Sequence, residues 1–309
     1  LSPTRPCRFA RRRRRTRADE SVVPLVLGPL NGGLPWPRGF NDARHSEREW
    51  LSHVREASRL LPGRRSTLRD TDALVVGSRA TWAQMPASAR SRCVYVPENA
   101  VNPQRFPGLA GGGARAESSP DGRPLEIVFL GRLVAYKCCD VTLKASAPLL
   151  RSGEARLRVI GDGPERPRLE ALARSLGVEE SVVFEGWIPH EKVAAELARA
   201  DVLAFPSVRE FGGGVVPEAM AAGVVPIVVD YGGPAELLSP ESGWVVPLGS
   251  REEITGGLGA VLAEAAADRP GLARRAEAGR ARVRELLTWE AKATQTLAVY
   301  RWVLGDAER

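Results

Sequence analysis

Histidine and cysteine are scarce in this sequence of 309 residues, which contains three histidines and four cysteines. The cysteines show neither a CxxC spacing nor a Cys/His spacing typical of metal ligands, and the histidines form no ligand cluster. The adjacent residues Cys138 and Cys139 cannot easily form an ordinary disulfide with each other. We therefore interpret the cysteines as reduced thiols and expect no metal site.

Long apolar runs are also absent, since no unbroken apolar stretch exceeds the length of a strand or a short helix. The first residues show no basic region, apolar region and cleavage site of the kind found in secretory signals. These absences predict a soluble, cytoplasmic protein.

Acidic residues are missing from the first 17 positions, which carry eight arginines. The formal charge of the chain is +7, but the rest of it carries 36 basic and 37 acidic residues. We interpret residues 1–20 as a solvated, disordered tail and expect no nucleic-acid partner, because Phe9 is the one aromatic residue there for base stacking. Nucleic-acid binding and peripheral membrane contact through this tail stay open as alternatives.

Two nucleotide-binding motifs are missing as well. No GxxxxGK[ST] run occurs, which disfavours P-loop chemistry. Gly161 and Gly163 follow a predicted strand, but Arg166 stands where a dinucleotide fingerprint needs its third glycine. We interpret these glycines as a tight strand-to-helix turn.

Short apolar strands alternate with helical stretches, which predicts an α/β fold with parallel sheets covered on both faces. Near the N-terminus we predict a strand that ends at Gly28 and a helix over residues 42–61. Residues 107–124 are rich in Gly, Ser and Pro and are predicted to be a linker. The remaining predicted strands are 73–76, 93–96, 126–130, 157–160, 182–184, 202–205, 225–229 and 244–246. A final helix is predicted after its N-cap Thr288.

Residues 209–223 hold the strongest candidate for a binding site. Three consecutive glycines at 212–214 precede a predicted helix, where free backbone N–H groups can approach an anion. Glu210 falls in the loop before them, and Glu218 falls in the first turn of the helix. Singly, the two acids are also explained as a solvated loop residue and as a first-turn acid that balances the helix dipole.

A second loop, after the strand at 126–130, carries Arg132 and Lys137. The guanidinium fork and the ammonium stand five residues apart at the carboxyl end of a strand, and together they suit the two phosphates of a diphosphate. Because two basic loop residues alone are usually solvated, this interpretation depends on the other loops.

Taken in order, five loops resemble the donor-binding domain of glycosyltransferase family four, a family of retaining enzymes with the GT-B fold. The motifs that carry the resemblance are Gly131-Arg132-(x4)-Lys137, Gly161-Asp162-Gly163-Pro164, Gly186-Trp187-Ile188-Pro189, Glu210-(x7)-Glu218 and Gly232-Gly233-Pro234-Ala235-Glu236. The resemblance covers residues 125–305 densely. Residues 22–106 resemble the later part of the acceptor-side domain through Gly28-Pro29-Leu30-Asn31-Gly32-Gly33 and Pro97-Glu98-Asn99-Ala100-Val101-Asn102.

The resemblance implies two Rossmann-like, doubly wound domains. The expected parts are the tail at 1–20, a partial acceptor-side domain at 21–106, the linker at 107–124, a complete donor domain at 125–288 and a C-terminal helix at 289–309 that packs back on the N-terminal domain. We further expect that the chain is a fragment that lacks roughly a hundred N-terminal residues, because a complete acceptor-side domain begins with more strands than precede the linker here.

The resemblance also assigns roles to residues. It implies a nucleotide-sugar donor, an acceptor of unknown sugar, lipid-linked or small-molecule type, and no metal cofactor, since cations stabilise the departing diphosphate. The implied catalytic residues are Glu210, beside the donor sugar, with Arg132 and Lys137 on the diphosphate. The implied donor-binding residues are Gly131, Ile188, Phe211, Gly212, Gly213, Gly214, Val215 and Glu218, of which Glu218 accepts hydrogen bonds from the ribose.

Departures from the family pattern are also visible. Cys138 and Ala100 stand where the family usually has glycine, and neither His45 nor His53 matches the family's acceptor-side histidine. We interpret His190, behind Pro189, as a helix cap or surface residue.

Three alternatives to a glycosyltransferase stay open. They are a non-catalytic nucleotide-sugar-binding fragment, another enzyme of the same architecture such as a nucleotide-sugar epimerase, and a nucleic-acid-binding protein that uses residues 5–17.

Overall fold

The computed structural model describes residues 23–37, 39–40, 63–109 and 122–306. These residues form two parallel sheets with helices between the strands, so the predicted α/β class is confirmed. The predicted tail at 1–20 and helix at 42–61 lie outside the described residues, as does most of the linker at 107–124.

The smaller sheet contains three parallel strands in the order β1-β2-β3. Its strands are β1 (Val26–Leu30), β2 (Ala73–Val76) and β3 (Cys93–Tyr95), and its helices are α1 (Arg64–Asp70), α2 (Arg79–Gln84) and α3 (Ala87–Arg90). The prediction that the first strand ends at Gly28 is wrong. The strand continues to Leu30, because a register shift between Leu27 and Leu30 accommodates the Gly-Pro pair.

The larger sheet contains six parallel strands in the order β6-β5-β4-β7-β8-β9. Its strands are β4 (Leu125–Leu130), β5 (Ala155–Ile160), β6 (Val182–Gly186), β7 (Val202–Phe205), β8 (Val225–Val229) and β9 (Trp244–Val246). This is the doubly wound order, in which the chain winds outward from β4 in one direction and then outward from β7 in the other. The predicted strands at 202–205, 225–229 and 244–246 are confirmed at both ends.

We call each sheet with its helices a unit, the smaller unit for the three-stranded sheet and the larger unit for the six-stranded sheet. The helices of the larger unit follow its strands. They are α4 (Cys139–Arg151), α5 (Arg166–Ser175), α6 (His190–Leu197), α7 (Val215–Ala222), α8 (Gly233–Leu237), α9 (Arg251–Ala267), α10 (Arg269–Leu286) and α11 (Trp289–Leu304). None of the helices in the described ranges is both long enough and apolar enough to cross a membrane.

Both faces of the larger sheet are buried, as expected for parallel strands. On β4, Ile127 and Phe129 belong to one apolar cluster, which includes Leu143 of α4. The intervening Val128 belongs to a second cluster, which includes Met220 of α7. Because alternate residues of one strand enter two cores, the sheet is fixed from both sides and its loop-bearing edge is rigid.

The C-terminal helix α11 connects the two sheets. Its N-cap Thr288 accepts a hydrogen bond from the backbone N–H of Ala291 (3.1 Å), as the sequence predicts. Val299 and Val303 lie in one apolar cluster with residues of the three-stranded sheet, among them Ala73 and Val94.

Candidate functional site

A cavity lies at the point where the larger sheet reverses its winding. Strands β4 and β7 are neighbours there, yet their crossovers leave in opposite directions, so the loops that follow them separate and leave a crevice. The cavity has a volume of about 230 Å³. We call it the switch-point cavity, and its lining residues are Leu130, Gly131, Lys137, His190, Val193, Phe205, Glu210, Gly213, Gly214, Val215 and Glu218.

One end of the cavity holds an ion pair between the two loops. Lys137 ends the short 3₁₀ turn Ala135–Lys137 after β4, and its Nζ donates a hydrogen bond to Oε2 of Glu210 in the loop after β7. The ammonium also lies 4.9 Å from the ring centroid of Phe205. The side chains of Lys137 and Glu210 are only 13% and 21% exposed. Their charges are therefore weakly screened by solvent, and the two side chains attract each other more strongly than they would in bulk water.

The middle of the cavity lies against the N-terminus of α7. Gly214 is the N-cap of this helix and supplies no side-chain cap, while Gly213 adopts a positive φ of 63°. A Cβ at Gly213 would lie 2.7 Å from Cγ of Pro234, so this position requires glycine on both counts. The bare first turn of α7 leaves the positive end of its dipole toward the cavity, which favours an anion there.

At the other end of the cavity, the lining residues Glu218 and His190 form a chain of polar contacts with Arg105, which does not line the cavity. Glu218, in the first turn of α7, contacts His190 of α6, with 2.9 Å between Oε1 and Nε2. The second ring nitrogen of His190, Nδ1, lies 2.9 Å from Nη1 of Arg105. The interpretation of His190 as a cap or surface residue is therefore incomplete, because its exposed ring also lines the cavity. The sequence holds no signal for these contacts, whose partners are 28 and 85 residues away.

The predicted site residues do not all line the cavity. Gly131, Lys137, Glu210, Gly213, Gly214, Val215 and Glu218 line it. Arg132 is exposed and is not among the lining residues, and Ile188 packs partly buried against the second apolar cluster. The remaining two predicted site residues, Phe211 and Gly212, contact residues of the smaller unit. The ring of Phe211 lies against Gly77, and Gly212 faces the side chain of Asn99.

Cys138 shows why this position usually holds glycine. It is the non-glycine residue with positive φ within the described ranges, at φ 54° and ψ 40°, and it is the N-cap of α4. A non-glycine residue in this left-handed region costs roughly 1–2 kcal/mol. Its side chain is buried among Ala135, Tyr136 and Arg251 rather than in the cavity, and burial raises the pKa of the thiol to about 12.

Gly161 and Gly163, in the loop after β5, lie directly against the loop after β4, which carries Lys137. Both have positive φ, and a Cβ at either would collide with backbone atoms of Gly131 or Leu133. The backbone N–H of Leu133 donates to the carbonyl of Asp162 (2.9 Å). The tight turn predicted for these glycines thus has a specific consequence, which is that the loop after β5 packs directly on the loop that carries Lys137.

Contacts also connect the cavity's loops to the smaller unit. The carboxylate of Glu236 on α8 accepts the backbone N–H of Arg79 at the start of α2, at 2.9 and 3.0 Å. Burial raises the pKa of Glu236. The hydroxyl of Tyr231 donates to the carbonyl of Pro35 (2.5 Å), and the guanidinium of Arg209 lies 4.7 Å from the ring centroid of Trp36. The loop that carries Glu210 and the segment after β8 are therefore both in contact with the smaller unit.

Comparison with known proteins identifies the family. The family model for glycosyl transferases group 1 matches residues 114–281, which is more than half of the chain. An uncharacterized glycosyltransferase of Methanocaldococcus jannaschii is 36% identical over 140 residues, which are 45% of this chain and 36% of that protein. A GDP-mannose-dependent alpha-mannosyltransferase of Mycobacterium tuberculosis is 33% identical over 186 residues, which are 60% of this chain and 46% of that protein. The chain thus spans less than half the length of these two relatives.

Solved structures agree on the fold. The crystal structure of Alr3699/HepE from Anabaena, in complex with UDP and glucose, has a TM-score of 0.60 and is 17% identical. The match covers 76% of this chain and 64% of that one. This likeness and the doubly wound six-stranded sheet show the GT-B type of α/β fold that the sequence resemblance predicts. The resemblance of the five loops and the match of the family model lead to one conclusion: the chain belongs to the glycosyl transferases group 1.

Proposed function

We propose that this chain binds a nucleotide-sugar donor in the switch-point cavity and belongs to an enzyme that transfers the sugar to an acceptor with retention of the anomeric configuration. The observation that supports this most strongly is the meeting of Lys137, Glu210 and Glu218 around one cavity at the N-terminus of α7. A cation, a helix N-terminus and two carboxylates are the groups that a diphosphate flanked by two sugars requires.

Each end of the cavity is proposed to bind a different part of the donor. Lys137 and the N-terminus of α7 contact the diphosphate, and Arg132 supplies a second cation from the same loop. Glu218 accepts hydrogen bonds from the ribose hydroxyls. Glu210 lies beside the donor sugar, and the backbone around it, from Phe211 and Gly212 to Val215, contacts sugar and phosphate. Ile188 lies in the loop proposed to face the base.

The proposed chemistry follows from the charges. In glycosyl transfer the sugar passes through an oxocarbenium-like state while the diphosphate departs with its negative charge. Lys137 and Arg132 stabilise the departing charge, and Glu210 stabilises the positive charge that develops on the sugar. Because these cations act where a metal ion would, we propose that the reaction needs no metal.

Donor binding also changes the partner of Lys137. Its ammonium pairs with Glu210, so a diphosphate in the cavity would compete with that carboxylate for the same cation. The released carboxylate then faces the sugar. This exchange places the negative charge of Glu210 next to the reacting carbon only when a donor is present.

Two similar proteins suggest which donors to test. One relative is described as GDP-mannose-dependent, and one solved structure holds UDP and glucose. We propose a hexose as the transferred sugar. The acceptor is proposed to be a sugar, a lipid-linked sugar or a small molecule, and the enzyme to act in the cytoplasm, either free or at the membrane surface.

A second candidate function is binding of the donor without transfer. It is favoured by the small size of the acceptor-side unit, which has three strands within the described residues. A domain that binds the donor but cannot position an acceptor would bind nucleotide sugars and leave them intact.

Calorimetry and a turnover assay on the same protein separate these functions. UDP-glucose, GDP-mannose, UDP and GDP are titrated into the chain, with and without EDTA. Release of UDP or GDP is then followed by chromatography, first with water and next with a panel of sugar acceptors. The proposal predicts that one of the two nucleotides binds, that EDTA leaves its Kd unchanged, and that the product keeps the donor's anomeric configuration by NMR.

Three results contradict the proposal in different ways. Absence of binding by both nucleotides rejects the donor site. Binding without any turnover supports the second candidate function, and loss of binding in EDTA rejects metal independence.

A further inference from the structure

We propose that His190 is a positioning residue, which holds the carboxylate of Glu218 in the orientation that receives the donor's ribose. This inference rests on the proposed function, because it assigns a helper to the proposed ribose-binding acid. It concerns a side chain that no motif of the sequence singles out. The observation that carries it is the chain of contacts Arg105–His190–Glu218 at one end of the switch-point cavity.

The partner of Nδ1 determines the protonation of the imidazole ring. A guanidinium can only donate hydrogen bonds, so at 2.9 Å from Nη1 of Arg105 the Nδ1 atom of His190 must be the acceptor. A neutral ring that accepts at Nδ1 carries its proton on Nε2. That proton points at Oε1 of Glu218, 2.9 Å away. Arg105 therefore selects the tautomer of His190 that donates to the carboxylate.

The contact leaves part of the carboxylate for a ligand. His190 engages Oε1, and Oε2 remains as an acceptor for a hydroxyl group in the cavity. The neutral imidazole also restrains the carboxylate without neutralising its charge. A lysine or arginine at this place would instead form an ion pair with the carboxylate and compete with the ribose hydroxyls for it. The two lone pairs of Oε2 suit it to accept hydrogen bonds from the neighbouring hydroxyl groups of a ribose.

Each of the three side chains belongs to a defined helix or turn. His190 begins α6 behind Pro189, and Glu218 lies in the first turn of α7. Arg105 belongs to the turn Pro103–Arg105, where Asn102 accepts the backbone N–H of Gln104 (3.0 Å). The three side chains thus come from three separate elements, which are two helices and one short turn.

Solvent limits the size of the expected effect. The side chain of His190 is 61% exposed and that of Glu218 is 20% exposed. A hydrogen bond to a charged group in such a setting contributes modestly, so we expect a change of about three- to tenfold in ligand affinity rather than a loss of binding.

Glutamine offers a matched control for histidine at this position. The amide of a glutamine can donate to Glu218 through its nitrogen and accept from Arg105 through its oxygen, which reproduces the pattern of the neutral ring. His190→Gln should therefore retain affinity, whereas His190→Ala removes both contacts. A role in fold stability alone would not distinguish ligands with ribose from ligands without it.

The test is a set of titrations with UDP, GDP and inorganic pyrophosphate, which has the diphosphate but no ribose. The proteins are wild type, His190→Ala, His190→Gln, Glu218→Gln and the double variant His190→Ala with Glu218→Gln, each checked for its melting temperature. For whichever of UDP and GDP binds wild type more tightly, we expect His190→Ala to raise Kd about three- to tenfold. Kd for pyrophosphate should not change, and His190→Gln should stay within about twofold of wild type.

The double variant tests the coupling. If His190 acts through Glu218, then adding His190→Ala to Glu218→Gln should cause little further loss of affinity, because the two residues act as one unit. Additive losses would overturn the proposal, as would equal losses for pyrophosphate and the nucleotide, or a His190→Gln variant no better than His190→Ala. Failure of wild type to bind either UDP or GDP is a different result, since it rejects the proposed function itself.

Discussion

The switch-point cavity has two ends with different chemistry, although a glutamate is present at each. At one end, which we call the lysine end, Glu210 pairs with the ammonium of Lys137 over the ring of Phe205. At the other, the histidine end, Glu218 accepts from the neutral donor of His190. The partner of the glutamate is more buried at the lysine end, since Lys137 is 13% exposed and His190 is 61% exposed, whereas Glu210 and Glu218 are exposed alike, at 21% and 20%.

The two acids are eight residues apart in sequence, yet the difference in their surroundings suits them to different functions. Glu210 precedes the glycines and lies in a loop, whereas Glu218 follows them and is held by α7. The lysine end places opposite charges in a weakly screened setting, which suits a reaction in which charge separates. The histidine end holds a carboxylate beside an exposed imidazole instead of a buried cation, which suits the binding of hydroxyl groups.

The largest expected effect comes from Glu210→Gln. The amide keeps the shape of the side chain but removes the negative charge that we propose stabilises the positive charge developing on the sugar. We expect donor turnover to fall on the order of 100-fold. The Kd for the donor should not rise and should fall if anything, because the diphosphate no longer competes with a carboxylate for Lys137. Initial rates of UDP or GDP release, measured at saturating donor, check this prediction.

Glu218→Gln serves as the partner experiment for that prediction. It should raise Kd for the donor and leave turnover at saturating donor nearly unchanged. Similar losses of turnover in both variants would remove the distinction between the two ends.

The next effect in size is that of Lys137→Ala. Loss of a charge-assisted contact to the diphosphate should raise Kd for UDP or GDP about 10- to 100-fold. Arg132→Ala should have a smaller effect, because Arg132 is exposed and does not line the cavity. Lys144→Ala, which removes an exposed lysine from α4, is the matched control and should behave as wild type. Equal losses for Lys144→Ala and Lys137→Ala would mean that only the net charge matters.

The smallest effect concerns Cys138, next to Lys137. In Cys138→Gly the relief of left-handed strain, about 1 kcal/mol, is offset by loss of a buried thiol of similar value. The free energy of unfolding should therefore change by less than about 1 kcal/mol, and Kd for the nucleotide should stay within about twofold, as the thiol lies outside the cavity. Chemical denaturation and calorimetry check both. A much tighter Kd in Cys138→Gly would show that the cysteine crowds the ligand.

Much of the larger unit was predictable from sequence because its strands are short apolar runs between polar or glycine-rich loops. Strands β7, β8 and β9 match the prediction at both ends. The end of β1 was missed because Gly28 and Pro29 normally signal a turn, whereas here pairing with β2 carries the strand past them.

The candidate site was predictable to the extent that its residues lie on loops at the carboxyl ends of strands. That rule brings Lys137 and Glu210 to the same edge of the sheet, where the adjacency of β4 and β7 makes them partners. The contacts of His190 were not predictable, because they depend on how α6, α7 and the turn at Arg105 pack together. Sequence spacing carries no information about such packing.

One crossed titration tests directly whether the two ends of the cavity bind different parts of the nucleotide. Pyrophosphate and the preferred nucleotide, UDP or GDP, are each titrated into wild type, Lys137→Ala and Glu218→Gln under identical conditions. If the lysine end binds the diphosphate and the histidine end binds the ribose, Lys137→Ala weakens both ligands, while Glu218→Gln weakens the nucleotide and leaves pyrophosphate unchanged. If Glu218→Gln weakens pyrophosphate as much as the nucleotide, or if Lys137→Ala weakens neither ligand, the division of the cavity into two ends is contradicted.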